Sequence, residues 1–195
     1  METQEARPLR ADARRNRESV LEAARAVFAE YGHEAQMDEI ARRAAVGVGT
    51  VYRHFPTKDA LLEALLADSF ARIAANARAA LDETDAWEAF SGTLWFGAEL
   101  LAANRGLTES LVAQPADCVM EHEAELRETM GELIRRAQAA ATLRADVIVD
   151  DVPMMMCGVG AAYQKPHSSP ESWRRHLTIL MDGLRTSAAT GALPD

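Results

Sequence analysis

Cysteines, lysines and long apolar runs are scarce in this chain of 195 residues. Its two cysteines, Cys118 and Cys157, are too few for a disulfide framework, so we expect a reducing compartment and a cytoplasmic protein. No apolar run approaches the length of a membrane span. The arginine-bearing first residues are not followed by the apolar stretch of a signal peptide. The sequence therefore argues against secreted disulfide scaffolds and membrane proteins.

Alanine and arginine are abundant, and β-branched residues are sparse and scattered. This composition favours an all-α protein. The spacing of apolar residues predicts nine helices, no strand and no internal repeat. We expect a disordered arm at residues 1–10 and a first helix over about 12–31 that ends at Gly32. The other helices are expected at about 37–44, 48–55, 58–81, 85–103, 107–113, 117–143, 151–163 and 171–190. Thr57 is expected to cap the helix at 58–81, and Asp85 with Glu88 resembles a capping box at the start of the next helix.

The net charge of −9 is distributed unevenly along the chain. Residues 1–60 carry ten basic and ten acidic side chains, whereas residues 61–195 carry eleven basic and twenty acidic ones. An acidic body with a locally basic end fits a protein that contacts phosphate with one end only. An ordinary acidic soluble protein could show the same asymmetry, so charge alone does not decide the function.

The most informative segment is residues 37–58, with the sequence MDEIARRAAVGVGTVYRHFPTK. Two short helices separated by the turn Ala45-Val46-Gly47 have the shape of a helix-turn-helix. In that unit the second helix enters the major groove of DNA, and its first residues face the base edges. A helical hairpin with a charged face is the alternative, but the aromatic and basic end of the second helix favours DNA binding.

The residue types in this segment suit DNA contacts. Those that open the second helix are small and let the backbone approach DNA closely: Val48, Gly49 and Thr50. Tyr52 and His54 can donate to phosphates, and Arg53 can reach phosphate or guanine. Lys58 is expected in the first turn of the next helix, where a cation opposes the helix dipole. That position makes sense if Lys58 faces phosphate.

Residues 12–66 resemble the N-terminal domain of the tetracycline-repressor (TetR) family of bacterial regulators. The matching residues are Phe28, Gly32, Ile40, Ala41, Val46, the run 49–55, Lys58, Leu61 and Leu62. The resemblance implies that Thr50, Tyr52, His54 and Lys58 occupy DNA-contacting positions. It also implies a backbone contact at the start of the first motif helix, formed by Gln36 and Met37. We therefore expect a DNA-binding domain at 11–57 and a sensing and dimerisation domain at 58–195.

Three positions depart from the family pattern. Gln36 stands where family members usually have a Thr or Ser cap, and glutamine is a poor N-cap. Ala45 stands where the turn usually has glycine, so we expect a slightly altered turn. Gly47 replaces a serine cap, which costs only a few tenths of a kcal/mol.

The resemblance also implies a ligand pocket and a four-helix dimer interface in the C-terminal part. The pocket candidates are Trp87, Phe90, Trp95, Phe96, Glu99, Met120, His122, Met156 and Tyr163. The interface candidates are Met155, Val159, Trp173, Leu177, Leu180, Met181 and Leu184. For both sets, packing in the core of a single chain is the alternative. The aromatic residues beside Glu99 suggest the hypothesis of a flat cationic ligand.

The sequence thus predicts a homodimeric repressor that binds a palindromic operator in double-stranded DNA and responds to a small molecule, without a cofactor. Cys118 and His122 lie one helical turn apart and could hold zinc, but His167 and His176 would have to converge on them. An enzyme is the second hypothesis, although no phosphate loop or nucleophile elbow occurs. A helical small-molecule-binding or adaptor protein without DNA binding is the third.

Overall fold

A computed structural model describes residues 6–103, 117–164 and 171–194. Within these ranges the chain is all-helical, as the composition predicts. Its eight α-helices are α1 Ala6–Tyr31, α2 Met37–Arg43, α3 Val48–His54, α4 Lys58–Ala80, α5 Ala86–Ala103, α6 Asp117–Ala139, α7 Asp151–Gln164 and α8 Ser172–Leu184. The further helix expected at 107–113 lies outside the described residues. No helix in the described ranges is long and apolar enough to cross a membrane.

Three helix ends differ from the prediction. Helix α1 begins at Ala6, so the expected disordered arm is wrong from that residue onward. Pro8 is compatible with this start because a first-turn residue needs no N–H for the helix. Helix α6 ends at Ala139 because Ala141, with φ +55°, turns the backbone into the left-handed region. Helix α8 ends at Leu184 and is followed by a 3₁₀ turn at Thr186–Ala188.

Side-chain caps explain where two of the long helices begin. Thr57 Oγ1 accepts from the N–H of Ala60 at 3.0 Å at the start of α4. Asp85 Oδ1 accepts from the N–H groups of Trp87 and Glu88 at 2.9 and 3.0 Å at the start of α5. Both residues satisfy backbone donors that a helix start leaves free, so the predicted caps at Thr57 and Asp85 are confirmed.

The chain divides into two compact units. The first contains α1–α3 and the part of α4 through Ala67, and the second contains Asp68–Ala102 together with the chain from Val119 onward. The sequence placed the boundary ten residues earlier, at 57. The first residues of α4 belong to the first unit because their leucines are buried with α1–α3 in one cluster: Leu61, Leu62, Leu65 and Leu66.

The core of the first unit is built mainly from α1 and the first turns of α4, and α2 and α3 pack against them. Val20, Val27 and Phe28 of α1 are fully buried with Ile40 of α2 and Val51 of α3. In the second unit a separate cluster joins α5, α6, α7 and α8 around Phe90, Leu133, Val159 and Leu177. Each fully buried large side chain contributes about 1.5–3 kcal/mol. The short helices α2 and α3 thus depend on tertiary packing, since helices of this length are unstable alone.

Candidate nucleic-acid interface

The helix-turn-helix predicted from the sequence is present in the first unit. Helix α2 ends at Arg43, and the N–H of Val46 donates to the carbonyl of Ala41 at 3.1 Å in the turn that follows. Helix α3 then begins at Val48 after Gly47, which has extended backbone angles. Ile40 and Val51 are both fully buried, so the two helices are held by the same core. This arrangement leaves the opposite side of α3 exposed.

The turn between the helices places Ala45 in a strained backbone conformation. Ala45 has φ +54°, which is the left-handed conformation that glycine adopts most easily. Ile40 and Val51, on either side of the turn, are fully buried in one core, which holds the two helices in place. Our expectation of a slightly altered turn stays a prediction.

Neither motif helix has a side-chain cap. Gln36 precedes α2 and makes no cap hydrogen bond; its Nε2 donates instead to the carbonyl of Glu34 at 3.0 Å. The prediction that glutamine caps poorly here is confirmed. Gly47 likewise offers no side chain to the first N–H groups of α3. Those N–H groups have no side-chain acceptor within the described part of the motif.

The exposed side of α3 combines apolar, aromatic and basic groups. Tyr52 is 47% exposed and Val48 is 42% exposed, which is unusual for large apolar side chains. Gly49 and Arg53 are also exposed, and Thr50 is half-buried. No acidic residue lies on α3. The helix can therefore approach a polyanion without electrostatic repulsion from its own side chains.

Two acidic residues in and next to the motif, Glu39 and Glu30, are paired with arginines. Glu39 accepts from Arg42 at 2.9 and 2.6 Å, and Glu30 accepts from Arg43 at 2.8 Å. The Arg42 guanidinium lowers the pKa of Glu39, and the Arg43 guanidinium lowers the pKa of Glu30. These ion pairs reduce the negative field that the two carboxylates would otherwise create beside the motif.

The two remaining basic candidates, His54 and Lys58, are partly enclosed by the protein. His54 is half-buried, and its Nε2 is buried with no hydrogen-bond partner among the described residues. Because Nε2 is enclosed, His54 could reach a phosphate only through Nδ1. Lys58 is half-buried, with Nζ 5.6 Å from the centre of the Phe28 ring. Its contact with phosphate stays a prediction.

Comparison with known proteins identifies the family of this fold. The profile "Bacterial regulatory proteins, tetR family" matches residues 20–65. The profile "Transcriptional regulator SbtR-like, C-terminal domain" matches residues 82–186, which is more than half of the chain. A TetR transcription regulatory protein from Mycobacterium vanbaalenii is 41% identical, with a TM-score of 0.68 over 91% of this chain and 99% of that one.

The chain belongs to the TetR family of bacterial transcriptional regulators. The TetR regulator SCO0520 from Streptomyces coelicolor is 30% identical, with a TM-score of 0.66 over 87% of this chain and 98% of that one. The transcriptional repressor KstR of Mycolicibacterium smegmatis is 47% identical over 70 residues, which are 35% of this chain. The chain thus matches only 34% of the length of this curated relative.

In this TetR-family chain, the described pocket candidates lie in different environments. Trp87 and Phe90 are buried in the core of the second unit, and Trp95 contacts Trp173 with ring centres 6.0 Å apart. Phe96 is half-buried. Glu99 is exposed and accepts from Arg174 at 3.2 Å, so its carboxylate is already occupied by a cation.

The other pocket candidates are less fully described. Met156 is half-buried, 3.7 Å from the position that a Cβ on Gly97 would take. The side chains of Met120, His122 and Tyr163 lie outside the described residues, as does that of Cys118. Among the described side chains, no group of three or more His, Cys, Asp or Glu could hold a metal ion. The effector pocket therefore stays a prediction.

Most of the predicted dimer-interface residues are in the core of the single chain. The structure buries five of the seven against their own unit: Val159, Trp173, Leu177, Met181 and Leu184. Side chains that the monomer already encloses have little surface left for a partner, so a role for these five at an interface stays a prediction. Met155 and Leu180 are half-buried and stay candidates.

The exposed side of α7 and α8 carries residues that the sequence analysis missed. Met154 is 74% exposed, and Ile179 is 59% exposed. Between the two helices lies an open groove of about 400 Å³, lined by Gly158, Ala161, Ala162, Ser172, Arg175, His176 and Ile179. The sequence contained a signal for the exposure of Ile179, because in the helical register Ile179 lies off the apolar stripe that contains Leu177 and Met181. The strongest apolar stripe of α8 faces the core, and the weaker one faces out.

Proposed function

We propose that this chain is a homodimeric repressor, acting in the cytoplasm, that binds a palindromic operator through α3 and is released by a small molecule. The observation that carries the proposal is the exposed, acid-free surface of α3, on which Tyr52, Val48 and Arg53 are available to DNA. The proposed DNA contacts are Gln36, which precedes α2, Met37, which begins α2, the α3 residues 48–50 and 52–54, and Lys58, which begins α4.

A dimer is supported by the groove between α7 and α8. An exposed apolar surface of this kind is typical of an interface between subunits. Two copies joined there would present two copies of α3, and a recognition helix reads a palindrome only as one of a symmetric pair. Half-sites are then expected about one turn of DNA apart, roughly 34–36 Å.

Release by an effector requires coupling between the two units. Helix α4 is continuous from Lys58 to Ala80 and contributes residues to both units. We propose that an effector bound in the second unit favours one position of this helix. By linkage, the effector must then weaken DNA binding by the same factor by which DNA weakens effector binding.

Tyr52 provides the direct test of the DNA-binding proposal. We expect Tyr52→Ala to weaken binding to a duplex taken from the promoter beside the gene by about tenfold, because a phosphate or base contact is lost. Tyr31→Ala is the matched control, since Tyr31 is also 47% exposed and belongs to the same unit but lies outside the motif. Fluorescence anisotropy of a labelled duplex gives both affinities.

The affinities of the wild type, Tyr52→Ala and Tyr31→Ala distinguish three cases. A loss with Tyr52→Ala and none with Tyr31→Ala supports α3 as the recognition helix. Equal affinities for the wild type and Tyr52→Ala would remove Tyr52 from the interface. If the wild-type protein bound no duplex at low salt, the repressor proposal itself would fail.

A further inference from the structure

An open groove lies between the last turns of α4 and the first turns of α5, within the second unit. Its volume is about 360 Å³, the volume of roughly a dozen water molecules. We call it the α4–α5 groove, and its lining residues are Asn76, Ala79, Ala80, Glu83, Glu88, Ala89, Gly92 and Thr93. The space is open because four of these residues are alanine or glycine. None of the pocket candidates from the sequence lines this groove.

The uncharged polar groups of the groove require a hydrogen-bond donor. The Oδ1 atom of Asn76 is buried and has no hydrogen-bond partner among the described residues. A buried acceptor without a partner costs free energy that a bound donor can recover. Thr93 Oγ1 already donates its hydrogen to the carbonyl of Ala89 at 2.9 Å, so only its lone pairs remain for a ligand.

Two carboxylates add negative charge to these acceptors. Glu83 and Glu88 are exposed, and neither pairs with a cation among the described residues. Arg136 does not supply the missing charge, because its Nη1 donates to the carbonyl of Leu81 at 2.5 Å and its Nη2 to that of Glu83 at 2.6 Å. Other glutamates of this unit do pair with arginines, namely Glu99, Glu125 and Glu132. The groove therefore presents unpaired negative charge in the described part of the chain.

An ammonium group fits these surroundings better than a metal ion. Mg²⁺ and Ca²⁺ take about six or more oxygen ligands, and among the described side chains no group of three or more His, Cys, Asp or Glu could hold a metal ion. An ammonium group needs only acceptors for its N–H groups and a counter-charge. The alanines of both walls offer apolar contact to a short alkyl chain. Residues 61–195, with twenty acidic and eleven basic side chains, attract a cation to this unit.

We propose that the α4–α5 groove binds a small aliphatic amine in its ammonium form. The N–H groups donate to the carboxylates of Glu83 and Glu88 and to Asn76 Oδ1, and the alkyl chain lies against the alanines. The site goes beyond the proposed DNA-binding function and does not depend on it. Because its charges are exposed, binding is weak and is weakened further by salt.

The test is a titration of the full-length protein with butylammonium chloride, followed by the NMR shifts of backbone amides. We expect the amides of Ala89, Gly92 and Thr93 to shift and to saturate with a Kd of about 1 mM at low salt. Tetramethylammonium is an isomer of butylammonium with the same charge but without N–H groups. It should bind at least about tenfold more weakly, because it cannot donate to the acceptors of the groove.

Two variants test the groove in independent ways. Glu83→Gln/Glu88→Gln should weaken butylammonium binding about tenfold, because two exposed charge pairs are lost. Its control is Glu128→Gln/Asp182→Asn, which removes the same charge from exposed positions of the same unit outside the groove.

Gly92→Leu should abolish binding by filling the groove. A Cβ at Gly92 meets no atom within 4 Å, and leucine favours the helix, so the variant is expected to fold. Its control is Gly183→Leu, since Gly183 is also an exposed helical glycine with no atom within 4 Å of an added Cβ. Thermal melting verifies that each variant is folded.

Each result decides for or against the amine site. Saturable shifts that disappear in both groove variants and persist in both controls support it. The site is overturned if butylammonium gives no saturable shift, or if the controls lose binding to the same extent. It is also overturned if tetramethylammonium or Mg²⁺ binds as tightly as butylammonium, because the groove then attracts any cation. None of these failures affects the repressor proposal, which is tested with DNA.

Discussion

At the scale of single residues, backbone conformation matters as much as side-chain chemistry in the DNA-binding motif. Ala45 has a left-handed backbone conformation, with φ +54°, in the turn between two helices that pack in the same core. The side chain at 45 is exposed and makes no packing contribution that would explain the choice of alanine. The strain at Ala45 is thus stored in the turn that sets the angle between α2 and α3.

Relief of this strain should stabilise the protein. We expect Ala45→Gly to raise the free energy of unfolding by about 0.5–1 kcal/mol, because glycine adopts positive φ without steric cost. The neighbouring Ala44 has φ −76°, so Ala44→Gly should lower the free energy of unfolding by a similar amount. Urea denaturation of the three proteins measures both changes. A loss of stability with Ala45→Gly would show that the position carries no strain.

At the scale of elements, the last described residues are attached to the segment between α6 and α7 by a network of polar contacts. Arg144 donates to both oxygens of Asp146, at 2.6 and 2.8 Å, and to the carbonyl of Gly191 at 2.7 Å. Asp146 also accepts from the N–H of Leu193 at 2.8 Å. Gly191 and Leu193 are therefore held by hydrogen bonds to this charge pair.

This network predicts a pH-dependent stability. The Arg144 guanidinium and the Leu193 N–H hold the pKa of Asp146 well below its usual value of 3.8. A lowered pKa in the folded state adds stability above the usual value, and this stability is lost as the pH falls toward the folded-state pKa. We expect Asp146→Asn to destabilise the protein at pH 7, and the difference from the wild type to shrink below about pH 4.

Chemical denaturation at several pH values measures this difference, with Asp82→Asn as the control on the exposed segment after α4. The control should change the free energy of unfolding little at pH 7, because the Asp82 side chain is exposed. If the difference in free energy of unfolding between the wild type and Asp146→Asn did not change with pH, the carboxylate charge would not be what holds Gly191 and Leu193.

At the scale of the whole molecule, the two faces of α8 have different environments: one packs in the core of the second unit and the other is exposed. Leu177 of α8 is fully buried in the second unit, whereas Ile179, two residues later, is 59% exposed in the groove with α7. The proposed dimer uses the outer face, because the inner face is already enclosed by the same chain.

Two substitutions on α8 should separate dimerisation from folding. We expect Ile179→Glu to give a folded monomer with a weakened affinity for DNA, because a charge at the interface opposes association. Leu177→Glu should instead abolish cooperative folding, because it buries an unpaired charge in the core. Light scattering gives the oligomeric state, and circular dichroism gives the folding transition. A dimeric Ile179→Glu protein would place the interface elsewhere.

The sequence alone determined the all-helical class, the helix-turn-helix at 37–58 and the caps at Thr57 and Asp85. These features depend on local periodicity and on hydrogen bonds between residues close along the chain. Only the tertiary structure decided that Leu177 faces the core while Ile179 is exposed, that Ala45 adopts the positive φ, and that small residues of α4 and α5 leave a groove open between them. These features depend on which elements pack together, and apolar character does not distinguish a core face from an interface face.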